Sequence, residues 1–520
     1  MRRAGVAVSG LIAVTMVVLT ACSPVRQMSD PAGNPGEREP AADGLLAAWL
    51  DGSPETTNAD ASGFRLLVDG DAALEWRVRS LRKASERISV QYFMWRDDVV
   101  GRMLLAELLA AAERGVQVEI LIDDMHVRGN EALLAPLADH PNIGIRSFNP
   151  FHTRAGLLRM GIEFVVRSDP VNHRMHNKSW IVDDRLAIIG GRNIADEYFN
   201  AGGAFNFTDL DLAIAGPLAF EVGQSFAEYW RSPAAVPVQK LARFAGDAAQ
   251  SGALNTDGRE RPAGTHLTAV GPHPPANPYE RGPLDRGAYV WTSAAELVVD
   301  APAKAYGDGR TEAGVVQALA QRYAQVEEEL ILISPYFVPG AEGVRMLGEL
   351  SRQGVDVGVL TNSLAATDVA FAHGGYARRR HALLDGGVTL HELRPTAWSR
   401  AAAVNGAFGN AGARASLHSK AQILDDQEVF IGSFNIDPRS ANINTELGVF
   451  IADARIVGQV QALYRASTNP ALAYRVERSD AGLLQWVDDT GEVHALEPKA
   501  GFWRRIVAWV ARILPVESQL

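Results

Sequence analysis

The sequence predicts an α/β protein that consists of two halves with the same fold. Strand and helix patterns alternate between residues 88 and 148 and again between residues 330 and 393. In each half the third strand is followed by the same polar residues at the same spacing. With 520 residues, 47% of them hydrophobic and 21% charged, the composition is typical of a water-soluble globular protein that is long enough for more than one core.

Each half begins with strand–helix–strand units. In the first half, β-rich runs at 88–93 and 116–122 flank a helical pattern, and a third strand is predicted at 143–148. In the second half, the corresponding runs lie at 330–337, 355–360 and 388–393. Alternating strands and helices favour a mostly parallel sheet. The offset between matched positions stays near ~240, which indicates an internal repeat.

Two stretches rich in proline and small residues divide the chain, because such sequences cannot build a core. The predicted segments are a lipoprotein signal peptide at 1–21, a lipidated cysteine with a flexible tether at 22–45, the first half at 46–235, a linker at 236–290, the second half at 291–470 and a C-terminal extension with an amphipathic helix at 471–520.

The amino terminus has the features of an export signal with a lipid attachment site. Two arginines precede an apolar run at 11–19, which is shorter than the ~20 residues of a membrane-spanning helix. The segment that ends at Cys22 resembles a bacterial lipoprotein lipobox. We therefore expect a lipid anchor on the periplasmic side of a bacterial membrane, with Ser23 favouring the outer membrane. An ordinary cleaved signal is the alternative.

Charge and cysteine content exclude several classes of protein. The formal charge is −11, and it becomes −13 once residues 1–21, with two arginines and no acid, are removed. An acidic chain is a poor partner for nucleic acid, whose binding depends on attraction to phosphates. Cys22 is the only cysteine, so the chain cannot form an internal disulfide or a cysteine-rich metal site.

The chemical signal is a polar motif that occurs twice. Residues 176–183 read HNKSWIVD and continue to GGRN at 190–193, while residues 418–425 read HSKAQILD and continue to GSFN at 432–435. Each stretch is predicted to be a hairpin with an Asp-Asp turn. Side chains two apart on a strand point the same way, so each histidine and its lysine face one space. Two structural hairpins are the alternative, but they would not explain the equal spacing.

This residue set suits chemistry at a phosphodiester. A neutral imidazole can attack phosphorus while a second, protonated imidazole donates to the departing oxygen. Lysines can neutralise charge on the equatorial oxygens, and asparagines can donate further hydrogen bonds. The chemistry requires no metal and no other cofactor.

The paired HxKxxxxD motifs identify the sequence as a member of the phospholipase D superfamily, over nearly all of residues 46–515. The resemblance implies two pseudo-symmetric phospholipase D-type halves, each a mixed sheet flanked by helices, with one active site at their interface. It implies that His176 becomes a covalent phosphohistidine and that His418 acts as acid and then as base.

The same resemblance assigns the remaining residues. Lys178, Lys420, Asn193 and Asn435 are expected to hold the phosphate. The other expected members of the site are the motif residues Asp183 and Asp425, which complete the motif but serve the architecture, the carboxylates Asp209 and Glu446, which orient the imidazoles, and the hydroxyl of Ser433. Gly191 stands where Ser433 stands in the second half, so one hydroxyl contact is expected to be missing.

The residues around the motifs, together with GFWRR at 501–505, resemble the cardiolipin synthase C type. That resemblance implies transfer of a phosphatidyl group to phosphatidylglycerol, with phosphatidylethanolamine as a further candidate substrate and the membrane surface as a partner. The sequence indicates no protein partner. The alternatives are a hydrolase that releases phosphatidic acid, a nuclease of the same superfamily and a catalytically silent lipid-binding lipoprotein.

The C-terminal segment at 502–514 places apolar residues along one helical face, with Phe502, Trp509 and Ile513 among them. Docking on the protein and binding at a membrane interface are both compatible with this pattern. The arginine run at 378–380 is predicted to be a solvated helix face or a site for an anionic head group.

Overall fold

A computed structural model describes residues 59–127, 130–151, 172–241, 289–306, 314–397, 414–513 and 517. It contains two large mixed sheets, one for each half. Both sheets have three central strands that run parallel, with antiparallel strands on either side. This arrangement confirms the predicted α/β fold of two pseudo-symmetric halves.

The first sheet has nine strands in the order β10-β1-β8-β6-β5-β2-β3-β4-β9. Their bounds are β1 Ser62–Leu67, β2 Arg87–Tyr92, β3 Gln117–Asp123, β4 Ile143–Phe148, β5 Ser179–Val182, β6 Leu186–Gly190, β8 Asp211–Ala215, β9 Ala235–Pro237 and β10 Val290–Thr292.

The second sheet has ten strands in the order β11-β18-β17-β16-β12-β13-β14-β19-β20-β21. Their bounds are β11 Ala295–Val299, β12 Glu329–Ile333, β13 Asp356–Asn362, β14 Thr389–Leu393, β16 Ala421–Leu424, β17 Glu428–Gly432, β18 Leu447–Ile451, β19 Ala473–Arg478, β20 Leu484–Val487 and β21 Val493–His494. Eight neighbouring strands have the same spatial arrangement in both sheets. They are β1-β8-β6-β5-β2-β3-β4-β9 in the first sheet and β11-β18-β17-β16-β12-β13-β14-β19 in the second.

The helices cover these sheets. Their bounds are α1 Gly70–Lys83, α2 Val99–Glu113, α3 Asp124–Val127, α4 Glu131–Ala138, α5 Pro217–Arg231, α6 Val315–Tyr323, α7 Gly340–Arg352, α8 Ala370–Asp385, α9 Pro438–Asn442, α10 Ala454–Ser467 and α11 Phe502–Ile513. One core lies between the first sheet and α1, α2 and α4, and another lies between the second sheet and α7 and α8. A third core combines residues of both sheets with α5 and α10. This shared core fixes the two halves against each other.

The motif hairpins form as predicted. In β5–β6 the turn residues Asp183 and Asp184 have φ values of 53° and 50°, and in β16–β17 Asp425 and Asp426 have 51° and 55°. Two consecutive left-handed residues are what a type I′ turn requires, and aspartate tolerates this conformation better than most side chains.

A short two-stranded sheet joins the halves. Strand β7 (Phe205–Thr208) pairs in parallel with β15 (Arg414–Leu417), which lies directly before the second motif. A matching bridge joins Met175, directly before the first motif, to Thr445. Each motif is therefore attached through its backbone to the opposite half.

The predicted domain boundaries need correction at three points. Strands β9 and β10 belong to the first sheet, although 236–290 was predicted as a linker and 291 as the start of the second half. Residues 473–494 add β19 to β21 to the second sheet and are not a separate extension. In each case a strand pairs through its backbone with an open edge of the sheet. The half therefore continues past the apolar pattern from which its bounds were predicted.

The arginine run is not the solvated face or head-group site that the sequence suggests. Arg380 is buried and pairs with Glu392 at 2.9 Å and with Glu497 at 2.5 Å, and Arg379 pairs with Glu517 at 2.6 Å. These contacts hold the C-terminal segment on α8. None of the helices in the described part of the chain has the length and apolar character that crossing a bilayer requires.

Candidate active site

His176 lies directly before β5 and is held by the opposite half. Its backbone N–H donates to the carbonyl of Thr445 at 2.9 Å. Its ring Nδ1 lies 2.9 Å from both carboxylate oxygens of Glu446. Only 8% of the residue is exposed. A carboxylate on Nδ1 fixes the ring and leaves Nε2 as the nitrogen available for chemistry.

His418 has the mirror-related arrangement. Its backbone N–H donates to the carbonyl of Thr208 at 2.7 Å, and its Nδ1 lies 2.7 Å from Asp209 Oδ2. Asp209 and Glu446 therefore orient the imidazoles, as the resemblance implies. The structure adds that each carboxylate serves the histidine of the other half, so neither half contains a complete set.

The two carboxylates are supported in different ways. The Ser433 hydroxyl donates to Glu446, and it accepts from the Leu447 N–H at 3.1 Å. At Gly191, which matches Ser433, an added Cβ would lie 2.1 Å from Asp209 Oδ1. The shorter aspartate thus occupies the space that a serine side chain would need, and the expected missing hydroxyl contact has a steric cause.

Both motif lysines are buried beside their histidines. Lys178 Nζ donates to the His176 carbonyl at 2.5 Å, and Lys420 Nζ donates to the His418 carbonyl and lies 2.9 Å from His418 Nδ1. Burial lowers the pKa of Lys178 to about 7 and that of Lys420 to about 8. The positive charge of Lys420 also lowers the pKa of Lys178, which indicates that both motifs face one site.

Burial favours the neutral form of both imidazoles. Burial lowers the pKa of His176 to about 4, and the charge of Lys178 acts in the same direction. Burial and the neighbouring Lys420 also lower the pKa of His418. Their carboxylate partners stay ionised although burial opposes it: the imidazoles lower the pKa of Glu446, and that of Asp209 falls to about 2.

The surroundings of the two rings differ. Phe93 meets the His176 ring edge-on at 5.3 Å between centroids. The His418 ring contacts Phe207 at 4.9 Å and Tyr198 at 5.1 Å, with Tyr336 at 6.3 Å. His418 therefore lies in the more aromatic and more restricted half of the site.

The motif asparagines have unequal hydrogen bonding. Asn193 donates to the Tyr198 hydroxyl at 3.0 Å and accepts from the Met94 N–H at 3.3 Å. Asn435 is buried, and its Oδ1 has no hydrogen-bond partner among the residues that the structure describes. A buried polar atom without a partner is costly, so Asn435 is the better placed of the two to meet a ligand.

Asp183 and Asp425, which end the motifs, are not brought to the imidazoles. Asp183 lies at the far end of β5, where it accepts from the N–H groups of Ser85, Glu86 and Arg87 at 2.9 Å. Asp425 accepts from three consecutive N–H groups at 327–329. The motif aspartates therefore fasten each hairpin to the loop before the neighbouring strand, which is an architectural role.

Sequence reasoning missed two acidic residues at the site. Asp368 accepts from the Tyr336 hydroxyl at 2.8 Å beside His418. Asp437 is buried next to the second motif, and burial raises its pKa to about 7. Asp437 follows Asn435 by two positions, but its counterpart two after Asn193 is alanine, so the repeat offered no signal.

No motif residue belongs to a cluster that could hold a metal within the described ranges. The two clusters found are His373 with Glu392 and Glu497, and a surface group at 488–494. The guanidinium of Arg380 already lies between the first three side chains. His173, three before His176, faces the carbonyl of Lys304 at 3.0 Å.

A family described as "Cardiolipin synthase, PLD-like domain" matches residues 78–230 and 319–466, which cover both motifs and both orienting carboxylates. The chain belongs to this family. It is an enzyme of the phospholipase D superfamily, and the resemblance inferred from the motifs is confirmed.

Individual family members show the same similarity. The chain is 39% identical to cardiolipin synthase C of Escherichia coli over 450 residues, which cover 85% of this chain and 92% of that protein. It is 25% identical to cardiolipin synthase B of the same species over 394 residues, with 76% and 77% covered. A crystal structure of phosphatidylserine synthase from Haemophilus influenzae has the same fold, with a TM-score of 0.58, 15% identity and coverage of 88% and 95%.

Proposed function

We propose that the protein joins two phospholipids by transferring a phosphatidyl group to a hydroxyl of phosphatidylglycerol, which yields cardiolipin. The observation that carries the proposal is the exchange of carboxylates between the halves: Glu446 holds His176, and Asp209 holds His418. Two oriented imidazoles with two buried lysines in one site suit a two-step displacement at a phosphodiester. The similarity to cardiolipin synthases supports a lipid alcohol as the acceptor.

In the first step, Nε2 of His176 attacks the phosphorus of the donor lipid. The phosphorus–oxygen bond to the donor head group breaks, and His418 donates a proton to the departing alcohol. His176 suits the attack because its pKa of about 4 keeps the ring neutral. The donor brings a negative charge into a buried site, which raises the affinity of His418 for the proton that it must carry.

In the second step, the phosphatidyl group moves from His176 to the acceptor. His418 takes the proton of the incoming hydroxyl, the new phosphorus–oxygen bond forms and the phosphorus–nitrogen bond breaks. Lys178 and Lys420 neutralise the phosphoryl oxygens in both steps, where charge stabilisation in a water-poor site is most effective. Water in place of the lipid alcohol would give phosphatidic acid.

Lipid mass spectrometry tests this proposal. The full-length protein is incubated with deuterated phosphatidylglycerol, alone and with phosphatidylethanolamine, and the products are separated by mass. With phosphatidylglycerol alone we expect cardiolipin with deuterium in both phosphatidyl groups, and transfer from unlabelled phosphatidylethanolamine would give cardiolipin with deuterium in one. Phosphatidic acid as the sole product would indicate a hydrolase and contradict the transfer proposal.

Two controls complete the test. The His176→Ala variant must form neither product, and single- and double-stranded DNA must remain intact. Cleavage of DNA without lipid turnover would assign the site to a nuclease. Absence of turnover on every substrate, with a folded protein, would favour a silent lipid-binding protein.

We also propose that the enzyme is a lipoprotein anchored through Cys22 on the periplasmic side of the membrane. The support is the lipobox-like sequence at 19–22, which lies outside the described residues. Metabolic labelling with a fatty acid should mark the wild type and not the Cys22→Ser variant. Equal labelling of both forms would contradict the anchor and leave the catalytic proposal intact.

A further inference from the structure

Helix α11 exposes its apolar side and buries its small side. Four large apolar side chains point outward, with exposed fractions of 70% for Phe502, 74% for Trp503, 59% for Trp509 and 58% for Ile513. A surface helix of a globular protein normally turns such residues inward. Residues 502–513 are thus helical as predicted, but the apolar face of this helix is not the face that docks on the protein.

The contacts on the other side of α11 hold it in this orientation. Ala508 and Ala511 are buried, and a Cβ on Gly374 of α8 would lie 2.5 Å from the Ala508 carbonyl oxygen and 2.6 Å from Ala511 Cβ. Arg505 donates to the carbonyl of Glu497 at 2.8 Å. Such close packing admits only small side chains, so the helix cannot turn its bulky face toward α8.

We infer that the outward face of α11, defined by Phe502, Trp503, Trp509 and Ile513, binds the interfacial region of a bilayer that contains anionic phospholipid. Tryptophan suits the membrane interface because its ring is apolar and its N–H is polar. Exposed Lys499 and Arg512 supply positive charge at this surface of an otherwise acidic protein. Apolar burial and local attraction to anionic lipid act together in such helices.

The helix also lies beside the active site. Leu364 and Ala365, in the segment after β13, pack with Ala508. Arg504 donates to the carbonyls of Leu364 and Thr367 in the same segment.

The next residue of that segment reaches the catalytic centre. Asp368 accepts from the Tyr336 hydroxyl, and the Tyr336 ring lies edge-on to His418. A bilayer on α11 would therefore lie on the side of the molecule from which this chain of contacts leads to His418. This inference rests on the proposed function only in that the substrates are membrane lipids.

Fluorescence quenching by brominated lipid tests the binding directly. The full-length protein is reconstituted into vesicles of phosphatidylethanolamine and phosphatidylglycerol, with and without acyl-chain bromine. We expect bromine to quench the wild-type emission, and the quenched fraction to fall at least twofold in the Trp503→Phe/Trp509→Phe variant. An unchanged quenched fraction would overturn the inference, because it would place both indoles outside the bilayer.

A second variant separates membrane binding from catalysis. Serine at all four positions of the outward face should lower turnover of vesicle lipid at least tenfold and leave turnover of a monomeric short-chain lipid within twofold. The matched control is Leu483→Ser/Val493→Ser, since both side chains are exposed and lie away from α11 in the chain. If no substrate is turned over, the proposed function fails and the quenching result still decides the membrane contact.

The same variants test whether a second copy of the chain, and not a bilayer, covers the outward face of α11. Light scattering in detergent-free buffer would then show a dimer that the serine variant dissociates, together with no bromine quenching of the wild type. That pair of results would overturn the inference. A thermal unfolding midpoint within about 3 °C of the wild type shows that the serine variant is folded.

Discussion

The two halves build the same catalytic geometry from different side chains. In the second half a long carboxylate, Glu446, is held by the Ser433 hydroxyl and reaches His176. In the first half a short carboxylate, Asp209, fills the space above Gly191 and reaches His418. The repeat therefore preserves the position of the carboxylate oxygens and not the residues that deliver them.

The two histidines also differ in their aromatic surroundings. His418 is enclosed by Tyr198, Phe207 and Tyr336, whereas His176 has only Phe93 as an aromatic contact among the described residues. In a symmetric site either imidazole could take either role, and only the bound substrate would distinguish them. Unequal surroundings allow one fold, used twice, to supply both roles.

The largest effect is expected from the histidines themselves. His176→Ala and His418→Ala should each lower turnover at least ~10³-fold, because loss of a nucleophile or of the proton donor removes a whole step. Initial rates on labelled phosphatidylglycerol measure it. His173→Ala, outside the site, serves as the control. Half of the wild-type rate in each variant would indicate two independent sites and contradict the shared one.

Replacing the motif aspartate should lower the free energy of unfolding more in the first half than in the second. Asp183 is 3% exposed and accepts bonds from three backbone N–H groups, so Asp183→Ala should cost about 3 kcal/mol of unfolding free energy. Asp425 is half-buried and water can replace part of its bonding, so Asp425→Ala should cost about 1 kcal/mol.

Urea unfolding of both aspartate variants measures the difference. Residual activity at 25 °C should stay within a few-fold of the wild type in each, since neither side chain reaches the imidazoles. A large loss of turnover in a stably folded variant would return these residues to the catalytic set.

Placing the serine–glutamate pair of the second half at positions 191 and 209 of the first half tests whether the two arrangements are equivalent. Gly191→Ser should lower turnover roughly 10- to 100-fold, because the new Cβ displaces the carboxylate that orients His418. Adding Asp209→Glu transplants the pair of the second half and should restore most of the loss. Steady-state rates of the single and double variants decide it. A double variant no better than the single one would show that the two supports are not equivalent.

Much of this arrangement could be predicted from the sequence. The motif spacing predicted His176 and His418 as a pair, the family resemblance implied the two carboxylates, and the βαβ pattern predicted the strands of each half. The spacing could not show which carboxylate serves which histidine, because the answer depends on how two separate halves pack. It also missed β9 and β10, short edge strands that have no periodic pattern of their own.

The orientation of helix α11 is a second feature that the sequence could not predict. The pattern at 502–514 indicated an amphipathic helix, and a periodic pattern alone favours an apolar face that packs on the core. The close approach of Gly374 to Ala508 decides the opposite, and that approach is a tertiary contact. Likewise the motif groups Asp183 with His176, although strand β5 lies between them and places Asp183 at its far end.

The two halves are also expected to differ in how their stability depends on pH. Matched strand registers place His391 in β14 where Arg146 stands in β4, because Leu360 and Leu121 are their partners. Burial lowers the pKa of His391 to about 4, and its Nδ1 is buried without a partner in the described structure. Arginine, the residue type at the matched position of the first half, is not a group that titrates near neutral pH.

The sign of the pH effect follows from proton uptake. As the pH falls from ~6.5 toward 4, the unfolded chain binds a proton at this histidine before the folded chain does, so stability present above pH ~6.5 is lost. His391→Gln should remove a loss on the order of 1–2 kcal/mol between pH 7 and 5. Urea unfolding at both pH values measures this difference. The same pH dependence in wild type and variant would show that His391 titrates normally, and that the second half is no more sensitive to acid here than the first.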